Sequence, residues 1–487
     1  MRRKSPVQLS GLLVLISHLA ALSLGCAGLP PAWRAQSSIQ LLSRLPPESD
    51  AEAIEVFSKY LQVDTSNPPG NELLGARHLA ERLASVGIDS ELVPLRGSAT
   101  RGSLIAHLRG DKSVGGPLCL LSHIDVVPAL ASEWTHPPFS GHVDDQGVIW
   151  GRGALDMKSM GAIELLAMLW LKRLDVKLGR DVVLIAVADE EDANRGMIEL
   201  VEDAWDRLGC EYLLNEGGLG LRDLLFAGQT VFPISVAEKG VLWIDVEVRG
   251  EGGHGSTPRP EHAARRYLDA LKRLDRWKSA PRIHPSLYEL LSRVGRHRGF
   301  PESLILGSRW MVNTFLEETL LENPATRAAI TDTAYVTGFD SGGNLHNVVP
   351  SRMRARIDSR ILPGTRTDEM LRELSALAGP DAKLSIRFAA EALESSSADP
   401  VFDVLVRHVE ADRRDAVAGP ALSPGFTDSL YARKMGAKAY GFVPFEVSKE
   451  LATTYHAANE RLPAAAFLRG FRVLLGAVAE ISARSAQ

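Results

Sequence analysis

Five histidine, aspartate and glutamate residues of this chain are candidate ligands for divalent metals of the kind that hydrolases use. They are His123, Asp156, Glu191, Glu216 and His456. A hydrolase with two metals needs one bridging carboxylate and, for each metal, one imidazole and one further carboxylate. Three carboxylates against two divalent cations leave one positive charge, which favours a bridging hydroxide. The residue types therefore predict a dinuclear site at which a metal-bridging hydroxide attacks an amide carbonyl.

Two further acids have predicted roles beside these ligands. Glu190 directly precedes Glu191. If it stays off the metals, its carboxylate can accept the proton of the attacking water and pass it to the leaving nitrogen. Asp125 lies two residues after His123 and can accept a hydrogen bond from the second imidazole nitrogen, which would fix the tautomer of the ring.

Each of these residues also has an ordinary structural interpretation. A histidine is more often solvated than a ligand, adjacent acids such as Glu190 and Glu191 are typical of an exposed strand end, and Glu216 beside two glycines is typical of a cap. The joint pattern favours the metal site. Three apolar runs lead directly into an acid or an imidazole, and buried charge of this kind requires a metal or an ion pair.

The three apolar runs are residues 118–121, 182–188 and 212–214, and their nearly continuous apolar character is typical of interior parallel strands. The carboxyl ends of parallel strands meet at one edge of a sheet, where open α/β proteins bind their ligands. Helical periodicity separates the runs. The predicted fold is therefore α/β, with a mixed, mostly parallel sheet flanked by helices.

A change of pattern after residue 237 predicts a second, inserted α+β domain. Residues 241–248 and 352–360 alternate between apolar and polar side chains, as strands with one solvated face do, and helices are predicted at 261–274 and 367–377. The predicted organisation is a signal peptide at 1–25, a tether at 26–48, a catalytic domain formed by 49–237 and 396–487, and the inserted domain at 238–395.

Composition excludes several classes of function. The chain has 487 residues, a net charge of −5 and a pI near 6.3, so it has no basic surplus to neutralise phosphates, and nucleic acid is not an expected partner. Three cysteines, Cys26, Cys119 and Cys210, are too few for a disulfide framework. Two of them lie in apolar runs that predict buried strands, and no redox chemistry is expected. No Gly-x-Ser-x-Gly motif supports a serine hydrolase.

The N-terminus has the pattern of an export signal. Basic residues at 2–4 precede an apolar stretch at 9–24, which has the length of a secretory signal and is short for a membrane span. Cys26 follows as in a bacterial lipoprotein, although Ser23 and Leu24 stand in the reverse of the usual order. A lipidated Cys26, a cleaved signal and an uncleaved anchor all stay open. We expect export to the bacterial periplasm, with membrane attachment if Cys26 is lipidated.

Several motifs resemble the family of aminoacylase, carboxypeptidase G, succinyl-diaminopimelate desuccinylase and carboxypeptidase S. They are SHIDVVP at 122–128, WTHPPFSG at 134–141, WGRGALDMK at 150–158, DEE at 189–191 and EGGHGSTP at 251–258. Segments 215–218, 237–240 and 321–350 are most similar to the branch of carboxypeptidase S and the N-fatty-acyl-amino-acid hydrolases.

The resemblance implies two bound zinc ions, with cobalt or manganese as alternatives. The implied ligands are His123 and Glu216 for one ion and Glu191 and His456 for the other, with Asp156 as the bridge, Glu190 as general base and Asp125 as support for His123. The inserted domain would be a lid and dimerisation domain in a homodimer. His254, often supplied in the family by the partner subunit, would polarise the scissile carbonyl. The implied substrate contacts are Asn347 and Arg360 at the carboxylate, and a second turn with Gly425, Thr427 and Asp428.

The lid residues have ordinary interpretations as well. Arg360 shares a polar strand face with three other arginines and can be solvated, His254 can be a turn residue, and Asn347 can cap a turn. Apolar residues within 301–330 can line an acyl-chain pocket or simply pack the lid. A carboxylate-binding arginine favours a carboxypeptidase, a dipeptidase or an N-acyl-amino-acid hydrolase. The rival interpretation is a non-catalytic envelope protein that retains the fold for binding or assembly.

Overall fold

The computed structural model describes residues 40–257, 260–341 and 345–484. The predicted signal peptide and Cys26 lie outside the described residues. Within these ranges, no helix combines the length and the apolar character that a membrane span requires.

An eight-stranded sheet forms the centre of the fold. Its order is β1-β2-β6-β3-β7-β16-β8-β15. The pairs β3–β6, β3–β7, β7–β16 and β8–β15 are parallel, whereas β1–β2, β2–β6 and β8–β16 are antiparallel. The strands are β1 Ser90–Pro94, β2 Gly102–Leu108, β3 Leu118–His123, β6 Val182–Val187, β7 Tyr212–Arg222, β8 Thr230–Glu238, β15 Ala416–Ser423 and β16 Lys438–Val447. The predicted α/β class with a mostly parallel sheet is confirmed.

Helices cover both faces of this sheet because its interior strands are apolar on both sides. Every residue of β3 and β6 is buried. One face packs on the first helix group, α1 Ser49–Leu61, α2 Glu72–Ala84, α3 Lys158–Arg173, α13 Pro400–Asp412 and α16 Ala464–Ser482. The other packs on the second, α4 Arg195–Asp203, α5 Trp205–Leu208 and α14 Ser429–Lys434. Small elements near the site are β4 His142–Val143, β5 Val148–Trp150, β17 Arg461–Pro463 and α15 Lys449–Ala452.

A second, four-stranded antiparallel sheet, here the lid sheet, has the order β11-β13-β9-β14. Its strands are β9 Gly240–Arg249, β11 Thr333–Asp340, β13 Arg352–Ile361 and β14 Ala382–Ala390. One face packs on the helices α6 Ala263–Leu274 and α12 Thr367–Ala378. The alternation seen in the sequence therefore separates a covered face from an open one. The division of the chain into domains at residues 237/238 and 395/396 stays a prediction.

The segment between α6 and β11 is helical and packs on the central sheet. Its helices are α7 Pro285–Arg298, α8 Glu302–Leu306, α9 Arg309–Phe315, α10 Glu317–Glu322 and α11 Pro324–Ile330. Leu306 and Val312 are buried against residues of β8 and β15, whereas Leu304, Trp310 and Phe315 are exposed. Part of the predicted apolar lining is therefore core packing.

A disulfide joins Cys119 of β3 to Cys210, which precedes β7. The cysteine count alone did not predict it, although both residues are buried as expected. The two lie 91 residues apart in the chain and come together because β3 and β7 are neighbours in the sheet.

Candidate metal centre

Three of the predicted ligands lie where the central strands end. His123 is the last residue of β3, Glu191 follows β6 by four residues, and Glu216 lies within β7. The strand β7 is longer than the predicted 212–214 because its second half pairs with β16 and β8. Asp156 comes from the turn before α3, and His456 from the loop between α15 and β17.

The carboxylate of Asp156 lies between the two imidazoles. Its Oδ1 is 3.0 Å from His123 Nε2, and its Oδ2 is 2.9 Å from His456 Nε2. Beyond each imidazole lies one more carboxylate. Glu216 Oε1 is 3.9 Å from His123 Nε2, and Glu191 Oε2 is 3.2 Å from His456 Nε2. The five predicted ligands thus form two imidazole–carboxylate pairs on either side of Asp156.

Ligand atoms of His123, Asp156 and Glu191 all lie within 4.8 Å of one another, and so do those of His123, Glu190 and Glu216. Such spacing suits metal binding by oxygen and imidazole nitrogen. Among the described residues, Glu191 Oε1 is a buried oxygen without a hydrogen-bond partner. The donor set and this orphaned oxygen fit a pair of divalent cations.

Burial of several acids in one place produces strong electrostatic effects. Burial and the charge of Glu216 raise the pKa of the Glu190 carboxyl well above its usual range. Burial and the charges of Asp156 and Glu191 do the same to the pKa of Glu216. For Asp156, burial opposes ionisation, but hydrogen bonds from His123 and His456 hold the pKa of the carboxyl below its usual range. Hydrogen bonds to Asp156 and Glu191 raise the pKa of His456 to about 10. Several buried carboxylates this close together would be stabilised by bound cations.

Asp125 has a different contact from the one predicted. His123 Nδ1 lies 2.8 Å from the backbone oxygen of Asp125 and 3.7 Å from its carboxylate. A carbonyl only accepts, so Nδ1 carries a proton, and Nε2 is the nitrogen that faces Asp156 and the candidate metal site. The carboxylate instead accepts from the backbone N–H groups of Glu190 and Glu191, each at 3.1 Å, and from Asn67 Nδ2 at 2.9 Å. Asp125 therefore positions both the imidazole and the Glu190–Glu191 loop.

Comparison with known proteins agrees with this geometry. Residues 119–480 match the peptidase family M20/M25/M40. The chain belongs to this family. It is thus a hydrolase of the metallopeptidase and amidohydrolase type that acts on peptide or acyl–amino acid bonds, as the motifs predicted.

Individual relatives of this M20 peptidase differ in their named activities. It is 28% identical over 370 residues to a probable carboxypeptidase S-like 2 of Dictyostelium discoideum, covering 74% of this chain and 70% of that protein. It is 27% identical over 364 residues to the human N-fatty-acyl-amino acid synthase/hydrolase PM20D1, covering 72% and 71%. A metallo-carboxypeptidase of the M20 family from Sulfolobus solfataricus has the same fold, with a TM-score of 0.65 at 18% identity over 90% of this chain and 99% of that one.

Glu460 is a site residue of this M20 peptidase that the sequence did not reveal. Its carboxylate is fully buried and accepts hydrogen bonds from the backbone N–H groups of Gly153 at 3.0 Å, Leu155 at 2.6 Å and Asp156 at 3.0 Å. Three bonds to one carboxylate fix the turn that presents the Asp156 side chain. The only sequence signal was an acid four residues after His456.

Arg152 connects this turn to the loop of the second imidazole. Its Nη1 donates to Glu460 at 2.7 Å and to the backbone oxygen of Ala457 at 3.0 Å, and its Nη2 donates to the backbone oxygen of His456 at 3.4 Å. The backbone of His456 has a φ of 57°, a left-handed conformation that an ordinary residue adopts at a cost of about 1 kcal/mol. The buried Arg152–Glu460 pair thus holds together the two loops that carry Asp156 and His456.

Two predicted lid residues, His254 and Asn347, lie next to each other. His254 belongs to the short strand β10 Gly253–His254, which pairs with β12 Val348–Val349, and the Gly255 N–H donates to the Asn347 oxygen at 2.8 Å. Both residues are exposed. His254 Nδ1 accepts from the backbone N–H of Ser256 at 3.2 Å, so a neutral imidazole carries its proton on Nε2. No hydrogen bond or ion pair within the described ranges joins His254 to the metal-site cluster.

Arg360 lies on the open face of the lid sheet and keeps 28% of its side chain exposed. It pairs with Asp358 two residues earlier, at 2.9 Å and 3.1 Å. The structure thus places Arg360 on the polar face, as the alternation predicted, and gives it a carboxylate partner within its own strand.

The predicted turn at 425–428 lies between β7 and the end of β8. Thr427 Oγ1 donates to the buried Glu238 at 2.6 Å and accepts from Asn215 Nδ2 at 3.3 Å, next to Glu216. Asp428 accepts from Asn194 Nδ2 at 3.2 Å, and burial raises the pKa of its carboxyl to about 7. Gly425 is exposed, and its N–H donates to Ser423 Oγ at 3.2 Å. Thr427 and Asp428 are therefore buried positioning groups, whereas Gly425 lies at the surface.

Proposed function

We propose that this M20 peptidase is a dizinc hydrolase that cleaves an amide or peptide bond next to a free carboxylate. One observation carries the proposal. The two oxygens of Asp156 each face a different imidazole, and a further carboxylate lies beyond each imidazole. This is the symmetry that two cations sharing one bridging carboxylate require.

The five candidate ligands can be assigned to two cations with the imidazole–carboxylate pairs as the structure has them. His123 and Glu216 would hold one, His456 and Glu191 the other, with Asp156 between them. A bound pair of this kind supplies Lewis acidity and makes water nucleophilic near neutral pH. Zinc suits the mixture of imidazole and carboxylate, and cobalt or manganese would use the same donors.

Glu190 is the proposed general base. Its carboxylate lies in the group with His123 and Glu216 and is held there because its backbone N–H is bonded to Asp125. From this position the Glu190 carboxylate can take a proton from the attacking water and return it to the leaving nitrogen, which breaks the C–N bond and releases an amine and an acid.

His254 and Arg360 would act on the two ends of the bond to be cleaved. The Nε2–H of His254 is a donor suited to the developing oxyanion, and the Arg360 guanidinium is suited to the substrate carboxylate. His254 is exposed, and among the residues that the structure describes it has no hydrogen bond or ion pair to the metal-site cluster. This supports a homodimer in which the partner subunit supplies the residue. Residues 238–395 would then be the lid and dimerisation domain.

The Cys119–Cys210 disulfide supports export, because structural disulfides persist in oxidising compartments such as the bacterial periplasm. It agrees with the predicted signal at 1–25, whether or not Cys26 is lipidated.

The test is amine release by the purified chain from dipeptides, N-acetyl amino acids and long-chain N-acyl amino acids, before and after chelation and after zinc is restored. We expect release from at least one class, its loss with chelator and its return with zinc. Release that persists after all metal is removed would contradict the proposal. The carboxyl-amidated forms of the same substrates lack the free carboxylate and serve as controls; cleavage of these at the same rate would contradict the role of Arg360.

A further inference from the structure

Four aromatic side chains form a continuous row between the lid sheet and the central sheet. They are Trp243 of β9, Phe388 of β14, Phe426 of the 425–428 turn and Tyr431 of α14. Successive ring centroids are 5.3 Å, 6.3 Å and 6.0 Å apart, and the last two contacts are edge-to-face. We call these residues the aromatic row.

One end of the aromatic row lies at loops that border the metal-site cluster. Phe426 directly precedes Thr427, whose hydroxyl accepts a hydrogen bond from Asn215, the neighbour of Glu216 in β7. Tyr431 is three residues after Asp428, which accepts a hydrogen bond from Asn194 in the loop that follows Glu191. The hydrogen bonds of this turn therefore connect the row to the segments that carry Glu216 and Glu191.

The other end lies on the same sheet face as Arg360. Trp243 stands opposite Asp358 of β13 on one side and Phe388 of β14 on the other. Directly opposed residues share a face, and so do Asp358 and Arg360 because they are two apart in one strand. The helices α6 and α12 cover the opposite face. The aromatic row and Arg360 thus share the open face of the lid sheet.

The rings of the aromatic row are not sealed into a core. Trp243 keeps 38% of its surface exposed, and Phe388, Phe426 and Tyr431 are half-buried. Half-exposed aromatic surface that leads from a reactive centre is typical of ligand-binding clefts.

We propose that the aromatic row is the subsite for a bulky apolar group of the substrate, carried next to the bond that is cleaved. This inference rests on the proposed function and adds the substrate class: an amide with a free carboxylate near Arg360 and a large apolar substituent along the row. The substituent is an acyl chain or an amino-acid side chain, which offer the same apolar chemistry.

The test compares kcat/KM for N-decanoyl-glycine, N-acetyl-phenylalanine and N-acetyl-glycine in the intact enzyme and its Phe388→Ala and Trp243→Ala variants. We expect the intact enzyme to prefer one of the bulky substrates over N-acetyl-glycine, and each variant to reduce that preference about tenfold. If the variants lose the preference for N-decanoyl-glycine, the apolar group is an acyl chain. If they lose the preference for N-acetyl-phenylalanine, it is an amino-acid side chain. Trp243 is partly exposed, so we expect Trp243→Ala to fold normally. This variant can therefore still be measured if Phe388→Ala lowers the yield of folded protein.

Phe339→Ala is the matched control. Phe339 lies on β11 of the same lid sheet, is 70% exposed and is not part of the aromatic row. We expect this variant to keep the preference of the intact enzyme. Equal losses on all three substrates, or an unchanged preference in both row variants, would overturn the inference alone. An intact enzyme that releases no amine from any amide would overturn the proposed function and this inference with it.

Discussion

At the scale of single residues, Glu460 is the most informative side chain outside the ligand set. Its carboxylate fixes the Asp156 turn through three backbone bonds and meets Arg152, which holds the His456 loop. In Glu460→Gln the amide can accept at only one atom, so Asp156 is less well oriented. We expect the affinity for the second zinc ion to fall about 10–100-fold, as other losses of ligand-orienting groups do. Metal titration of the apoprotein measures this.

Glu480→Gln is the control for Glu460→Gln. Glu480 is equally a buried, ion-paired glutamate, but it pairs with Arg407 and His408 between α13 and α16. The Glu480→Gln substitution is expected to lower the free energy of unfolding without changing the affinity for zinc. If both variants weaken zinc binding to the same extent, Glu460 has no specific positioning role.

At the scale of elements, the strands that carry His123 and Glu216 are joined covalently as well as by hydrogen bonds. The Cys119–Cys210 bridge closes a loop of 91 residues between them. We expect its removal in a Cys119→Ala/Cys210→Ala variant to lower the free energy of unfolding by about 2–5 kcal/mol. Denaturant unfolding with and without dithiothreitol measures the effect. Wild-type protein should lose stability with the reductant and the double variant should not; a double variant that responds equally would refute the structural role.

The elements themselves were largely predictable, because nearly continuous apolar runs identify interior strands. The run at 118–121 is the core of β3, and the run at 182–188 is β6. The extension of β7 through Glu216 was not predictable, since its second half is stabilised by β16 and β8, which are distant in sequence. The Cys119–Cys210 pairing was hidden for the same reason, since it depends on the strand order.

The five candidate ligands could be named from the sequence because each lies in a short motif, and the structure brings them together; the residues that orient them could not be named in this way. Arg152 and Glu460 are 308 positions apart, and only the folded chain brings them together. Asp125 was predicted as a partner of His123, but the carboxylate contacts backbone N–H groups whose position a local pattern does not reveal.

At the scale of the whole molecule, two sources of charge meet at one place. The central sheet and the loop after β6 supply His123, Glu216, Glu190 and Glu191, and the loops before α3 and β17 supply Asp156 and His456. The sequence separates these groups by more than 300 residues, whereas the fold places the metal-site residues within a few ångströms. The central claim is that this arrangement performs hydrolysis with Glu190 as the group that moves the proton.

The most direct measurement of that claim is amine release by Glu190→Gln and by the intact enzyme, with zinc content determined on the same samples. Glutamine keeps the shape of glutamate but cannot accept the proton. We expect two zinc ions per chain in both proteins and a fall in kcat of at least about a hundredfold in the variant. A variant that holds both ions and retains most of its turnover would contradict the account.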